Sequence, residues 1–417
     1  MTGQRLDTAW LTAGPLARVL DVLDRDGEEA RAVGGAVRNE LMGLPVSEID
    51  VATTALPQEV MRRAKLAGIR TVPTGIDHGT VTLLVDGQPF EVTTLREDVE
   101  TYGRKAKVAF GRDWKRDAER RDFTMNALSV SRDGAVHDYV GGLADLKARH
   151  VRFIGEAATR IEEDYLRILR FFRFHAAYGA GAPDKAALAA CIAGREGLES
   201  LSRERVRAEL LKLLTARGAA SAVSVMADAG LLVRILGGVP LPQSLDTMAK
   251  IESGLKLGPD AVRRLGALAL FVIDDGDRLY QRLRLSNGEY QRLLSMADGW
   301  WHIAGGMTEA EARVLLYRLG SQNFTDRVLL AWSRSQDGFD DRRWHDLAAL
   351  PERWPVPSLP VSASDMMARG VPKGPDLGAA LRAAEAAWIA AGFPQDQVAV
   401  TAIADEAAKQ NRERAVK

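Results

Sequence analysis

The sequence predicts an α+β protein, with a head built on a small mixed sheet followed by an all-helical remainder. Three observations carry this. Short β-branched and alternating runs occur before Arg152 and not after it. Beyond Arg152 the chain is rich in Leu and Ala at three- and four-residue spacing, the period of a helix with one buried face. Glycine and proline clusters cut that helical part at intervals.

In chain order, Ala30–Val33 reads as a strand, Gly34 and Gly35 as a turn, and 36–42 as a helix. Residues 48–52 read as a second strand, and Pro57 as the first position of a helix running to about Ala67. Residues 70–72, 80–85 and 90–94 read as three further strands, with Asp86-Gly87 as the hairpin turn between the last two. Breaks at 179–183 and 237–242 interrupt the helices, and four prolines within 351–360 mark the strongest boundary. The expected division is a head over 1–150, a neck over 151–238, a body over 239–355 and a tail over 356–417, the last carrying Ala-rich helices at 379–391 and 401–408.

At 417 residues, 46% hydrophobic and 27% charged, with 38 Gly and 16 Pro, the composition excludes disorder, a fibrous repeat and a small disulfide-stapled domain. The longest apolar run, 265–273, is too short to span a bilayer, and the first residues, including Thr2, Gln4 and Arg5, do not resemble a signal peptide. A single cysteine, Cys191, permits neither an internal disulfide nor a cysteine zinc site. A soluble cytoplasmic protein without a membrane partner is expected. Fifty-six basic residues balance 56 acidic ones, so a polyanionic partner must be held by local clusters.

The chemistry concentrates in the head. Adjacent glycines between a strand and a helix let the backbone approach a ligand and aim amide groups at an anion, although a tight turn alone accounts for the pair. If 48–52 is a strand, Glu48 and Asp50 share a face, and two carboxylates beside a phosphate cradle suit Mg²⁺. Solvated acids on an open strand face are the alternative. Glu91, on the strand 90–94, adds a third carboxylate, and three such acids would repel one another without a cation. The arrangement suggests two-metal phosphoryl transfer. No G-x-x-x-x-G-K-[ST] run is present to cradle a triphosphate in another way. His78 reads as structural, and His345-Asp346 as helix surface.

Gly34-Gly35-Ala36-Val37-Arg38-Asn39, Glu48-Ile49-Asp50-Val51-Ala52-Thr53-Thr54, His78-Gly79-Thr80-Val81, Glu91-Val92-Thr93-Thr94 and Arg120-Arg121-Asp122-Phe123-Thr124-Met125-Asn126-Ala127 follow one another in the order found in one family. With them the chain resembles the class II CCA-adding tRNA nucleotidyltransferases and bacterial poly(A) polymerases. The likeness continues through Asp138, Gly141, Gly142 and Asp145, through Glu163 to Phe174, and again at Gly370, Gly374-Pro375, Gly378 and Trp388. It implies a polymerase-β-like head, with Glu48 and Asp50 holding the metal, Glu91 as third carboxylate, and Gly35 and Arg38 on phosphate. Mg²⁺ is the expected ion, with Mn²⁺ as an alternative. Two positions depart from the family pattern: Asn39 stands where Asp is usual, and Glu48 where the first metal-binding Asp is usual. The added methylene moves the carboxylate about 1.5 Å, enough to disturb near-octahedral geometry.

Asp164, Arg167, Arg170 and Arg173 recur at three-residue spacing beside the apolar Leu166, Leu169 and Phe172, which predicts one helix over 161–175 with a charged stripe. From spacing alone, a salt-bridge ladder with Glu162 and Glu163 explains the stripe. The resemblance implies instead that Asp164 and Arg167 read the edge of CTP or ATP while Arg170 and Arg173 help hold the nucleotide. A carboxylate accepts from the amino group that cytosine and adenine share, and uracil lacks that group. The resemblance further places Arg121 and Asp122, read as opening a helix, on the ribose and triphosphate side. Before them it implies a flexible loop, in a stretch from Gly103 to Arg121 with eight basic and three acidic residues. The expected partner is the tRNA acceptor end, gripped by shape and phosphate. Lys373 at the Gly374-Pro375 turn, Lys409, Arg412, Arg414 and Lys417 are candidate contacts, each equally readable as ordinary surface. Three rivals to CCA addition remain at this level: a poly(A) polymerase, an enzyme adding only CC or only A, and a non-catalytic RNA-binding descendant. Oligomeric state is not encoded in any of these patterns.

Overall fold

The computed structural model of the chain describes residues 4–7, 9–102 and 105–415. They form two compact units, one of residues up to Gln243 together with Asp277–Ser286, the other of Ser244–Gly276 with Asn287 onward. Among the described residues no helix is long and apolar enough to cross a membrane.

The described residues of the first unit form nine strands: β1 (Ala30–Val33), β2 (Asp50–Thr53), β3 (Arg70–Gly75), β4 (Thr80–Val85), β5 (Gln88–Thr94), β6 (Arg96–Tyr102), β7 (Lys105–Phe110), β8 (Ser129–Ser131) and β9 (Val136–His137). Seven of them make one sheet in the order β3-β4-β5-β2-β1-β8-β9, and β6 and β7 pair separately as a two-stranded ribbon. The sheet is mixed because β2 runs parallel to β5, whereas β1 is antiparallel to both β2 and β8. Val51, Val81, Leu83, Val92 and Val130 are buried along these central strands. Asp86 (φ 51°) and Gly87 (φ 79°) turn the β4–β5 hairpin with the left-handed pair such a tight turn requires.

Four expectations are corrected. Glu48 is not in a strand: β2 begins at Asp50, opposite Val33. Gly34 (φ 70°) turns the chain out of β1 into the next helix, so the ladder with β2 ends at the Val33–Asp50 pair and residues 48–49 have no strand partner there. The helix expected over 161–175 is two helices, Ala157–Glu163 and Leu166–Tyr178, broken at Asp164, whose backbone is extended (φ −157°, ψ 105°). Asp164 Oδ1 accepts from the Leu166 amide (3.1 Å), the local competition by which Asp ends one helix and starts another. Tyr165 rests against Gly197, where even a methyl group would lie 2.1 Å from the ring. Arg121 and Asp122 do not open a helix; they follow one, Trp114–Glu119, and precede a short 3₁₀ turn, Thr124–Asn126. Where a flexible loop was expected, residues 105–110 are β7 and 114–119 are helix; Gly103 and Arg104 lie outside the described residues.

The arginine-bearing helix Leu166–Tyr178 is fastened to the head by rings. Phe123 lies 4.9 Å from Phe153 and 5.1 Å from Phe174, and Phe153 lies 5.7 Å from Phe171. Such pairs add about 0.5–1.5 kcal/mol each beyond the area they bury. Asp138 accepts the amides of Gly141, Gly142 and Leu143 (2.9 Å each) and so ties the strand β9 to the helix Gly142–Ala148. Gly142 is required there, because a Cβ would meet Thr124 O at 2.3 Å.

In the second unit, all helical among the described residues, Lys373 is exposed before Gly374 (φ 125°) and the helix Pro375–Ala390. Lys409 and Arg412 are exposed on Gln397–Ala415; the Arg414 side chain and Lys417 lie outside the described residues. His345 lies on the helix Arg342–Ala348 with its ring 5.0 Å from Trp332 and its Nε2 3.2 Å from Phe339 O, a packing role.

Candidate active site

One cleft of about 630 Å³ in the first unit gathers every residue singled out above for chemistry. Gly35, Arg38, Glu48, Asp50 and Glu91 line it from the sheet side. Arg121, Asp164, Arg167, Arg170 and Arg173 line it from the other.

The sheet side follows from register. Gly34 (φ 70°) turns the chain from β1 into the helix Gly35–Leu41, and a Cβ there would meet Arg121 Nη1 at 3.3 Å. Asp50 opposes Val33, so it stands beside this elbow, and the parallel pairing Val51–Val92 brings Glu91 level with it. The loop before β2 adds Glu48. Removal from bulk water raises the Asp50 carboxyl above its usual value; the charges of Glu91 and Glu48 raise it further, and Arg121 opposes them. That is a donor set suited to a divalent cation, which would remove the repulsion. Among the described residues no group of three or more His, Cys, Asp or Glu side chains is closed enough to hold an ion unaided. A cation here would therefore rely on substrate oxygens as well, the usual manner of Mg²⁺ at phosphates.

The other side is a connected network. Arg170 places Nε (2.8 Å) and Nη2 (2.6 Å) on Asp122 Oδ2. Asp122 Oδ1 accepts from the Phe123 amide and from Asn126 Nδ2 (3.1 Å). Asn126 Oδ1 in turn accepts from Arg38 Nη1 at 2.6 Å. Although burial raises the Asp122 carboxyl, Arg170 and these hydrogen bonds bring it below the usual range. Asp117 behaves likewise: burial raises it, and Arg120 and Arg121 hold it low. Glu209, on the helix Arg203–Thr215, accepts from Arg173 Nε (2.5 Å) and lies 3.5 Å from Arg170 Nη1.

Three placements bear on roles. Arg38 is only 6% exposed, donates to Asn126 and to Tyr178 OH (2.7 Å), and lies 3.9 Å above the Tyr178 ring. Its guanidinium thus ties the glycine elbow to the arginine helix. Arg167 is paired with Glu163 and with Arg160 O, so the ladder with Glu163 exists at that position. Asp164 accepts from Arg205 Nη2 at 2.6 Å. Sequence reasoning missed Glu209, Arg205, Asp117 and Tyr178. Glu209 had a signal, an acid among Val206, Leu210 and Leu213 on the buried face of its helix; Arg205 had none.

Residues 30–152 match the model described as "Poly A polymerase head domain", and residues 182–241 that described as "Probable RNA and SrmB- binding site of polymerase A". The mouse mitochondrial CCA tRNA nucleotidyltransferase 1 is 34% identical over 391 residues, covering 92% of this chain and 88% of the mouse protein. The chain belongs to the CCA tRNA nucleotidyltransferase family. Another relative in this family, the CCA-adding enzyme of Limosilactobacillus fermentum, is 34% identical over 385 residues, 88% of this chain and 90% of its own. The Bacillus stearothermophilus CCA-adding enzyme, solved in complex with CTP, superposes with a TM-score of 0.74 at 25% identity, covering 98% of this chain and 99% of that one. The Thermotoga maritima CCA-adding enzyme complexed with tRNA shares the nucleotidyltransferase fold, with a TM-score of 0.69 at 18% identity over 96% and 98% of the two chains.

Proposed function

We propose that the chain adds C, C and A to the 3′ end of tRNA from CTP and ATP, without a nucleic-acid template and with release of pyrophosphate. The observation that carries the proposal is that the acids beside the glycine elbow and the Asp164–Arg167 pair open into one cleft. Membership of the family supports the same reaction.

In the forward step the terminal 3′-hydroxyl oxygen attacks the α-phosphorus as its proton passes to solvent, the bond from the α-phosphorus to the bridging oxygen of the β-phosphate breaks, and pyrophosphate leaves with that oxygen. Glu48 and Asp50, with Glu91 beside them, would hold a divalent cation, Mg²⁺ or Mn²⁺. Such an ion, when bound, acidifies the attacking hydroxyl and neutralises the triphosphate. Arg121 lies on the triphosphate side, and Gly34 and Gly35 keep the elbow free of side chains. Asp164 and Arg167 read the base edge, which requires each to exchange its present partner, Arg205 or Glu163, for the nucleotide. Arg170 and Arg173, fixed by Asp122 and Glu209, hold the helix and its charge in place. The division at 150, 238 and 355 into head, neck, body and tail belongs to this proposal, with the tail contributing Lys373, Lys409 and Arg412 to tRNA binding.

Radiolabelled CTP and ATP with tRNA lacking its 3′ CCA should give a product three nucleotides longer. A long A tail would identify a poly(A) polymerase, partial addition a CC-only or A-only enzyme, and no product a non-catalytic RNA binder. In the same assay, the wild type should rank CTP and ATP far above UTP, and Asp164→Ala should flatten that ranking; an unchanged ranking would remove Asp164 from base selection.

A further inference from the structure

The acidic end of the cleft depends on a segment that no strand holds. The helix Gly35–Leu41 closes at Met42, whose amide donates to Asn39 O at 3.1 Å. Gly43 takes φ 66°, the chain folds back, and the Leu44 amide donates to the same carbonyl at 2.9 Å. The Asn39 side chain completes the hold. Its Oδ1 accepts from Arg38 Nε (3.2 Å) and Nη2 (2.9 Å), and its Nδ2 donates to Pro45 O at 3.0 Å. Among the described residues this is the one side-chain hydrogen bond that reaches the segment 43–49. Glu48 stands exposed in that segment, and the ladder with β1 begins only at Asp50.

We infer that Asn39 is a positioning residue for Glu48: its amide anchors the loop whose course decides where the Glu48 carboxylate enters the cleft. An amide can accept from Arg38 and donate to Pro45 together. A carboxylate at the same place still accepts from Arg38 but turns an oxygen toward the Pro45 carbonyl, and neither oxygen has a proton to share. Fixing the root matters more for a glutamate than for a shorter acid, because its extra rotatable bond spreads the carboxylate over more positions. The inference rests on reading Glu48 as a cation-holding residue.

Two variants of the full chain, Asn39→Asp and Asn39→Ser, test it with two readouts. One is hydrogen exchange in peptides covering 42–49. The other is Mn²⁺ affinity by electron paramagnetic resonance with a non-hydrolysable CTP analogue present. Exchange at Met42 and Leu44 should quicken about fivefold in both variants, the scale of one lost hydrogen bond. Mn²⁺ affinity should fall by a similar factor, and adding either substitution to Glu48→Ala should cause no further fall. Unaltered exchange, or quicker exchange with unaltered Mn²⁺ affinity, overturns the inference. If Glu48→Ala alone leaves Mn²⁺ affinity intact, the cation-holding role of Glu48 falls instead, and the exchange rates still decide whether Asn39 anchors the loop.

Discussion

Asp50→Ala should abolish nucleotide incorporation, with a loss of about a thousandfold or more, while leaving the protein as stable as before or more so. The first half follows from the position of Asp50 beside the glycine elbow: losing a cation-holding carboxylate forfeits several kcal/mol of charge stabilisation in the transition state, at about 1.4 kcal/mol per factor of ten. The second half follows from the carboxyl's own state. Desolvation, then Glu91 and Glu48, raise its pKa in the folded protein. An acid whose folded value lies above the unfolded one costs stability once ionised. That cost is present at neutral pH and disappears as the pH falls through the raised value toward the ordinary 3.8. Removing the charge removes the cost. Single-turnover incorporation and urea denaturation of the same variant check both halves; a fully active enzyme would remove Asp50 from the chemistry.

The largest stability effect is expected far from any ligand, at Asp326 in the second unit. Asp326 is wholly buried and accepts from Arg263 Nε (2.9 Å), Arg292 Nε (2.9 Å) and Gln322 Nε2 (3.1 Å). Glu252, 1% exposed, takes Arg263 Nη1 (3.0 Å) and Arg264 Nε (2.7 Å). Neighbouring arginines thus share two buried acids. Asp326→Ala strands Arg263 and Arg292 without that partner, and breaking a buried pair in this way costs about 3–5 kcal/mol. The denaturation midpoint of the second unit should drop accordingly, and a change below about 1 kcal/mol would mean that water reaches the arginines after all.

The sequence made the elbow legible because a β-branched run meets Gly34-Gly35, a local pattern. The acids were legible as types, but the end of β2 was not, since it is decided by where its partner β1 stops. The broken helix was hidden for a similar reason. Apolar spacing continues through Ile161, Leu166 and Ile168, whereas the break depends on Asp164 capping Leu166 and on Tyr165 resting against the distant Gly197. The strands β8 and β9, three and two residues long, are too short to show a period, and β6 reads from its charges as solvated chain. Arg205 joins Asp164 from 41 positions away, a contact that only the fold reveals.

Diffraction from crystals holding Mn²⁺ and a non-hydrolysable CTP analogue would locate the cation and the base in the cleft together. Anomalous density is expected bonded to Asp50, with the cytosine amino group against Asp164 and its ring against Arg167. Manganese seated away from Asp50, or a base lying clear of Asp164 and Arg167, would contradict it.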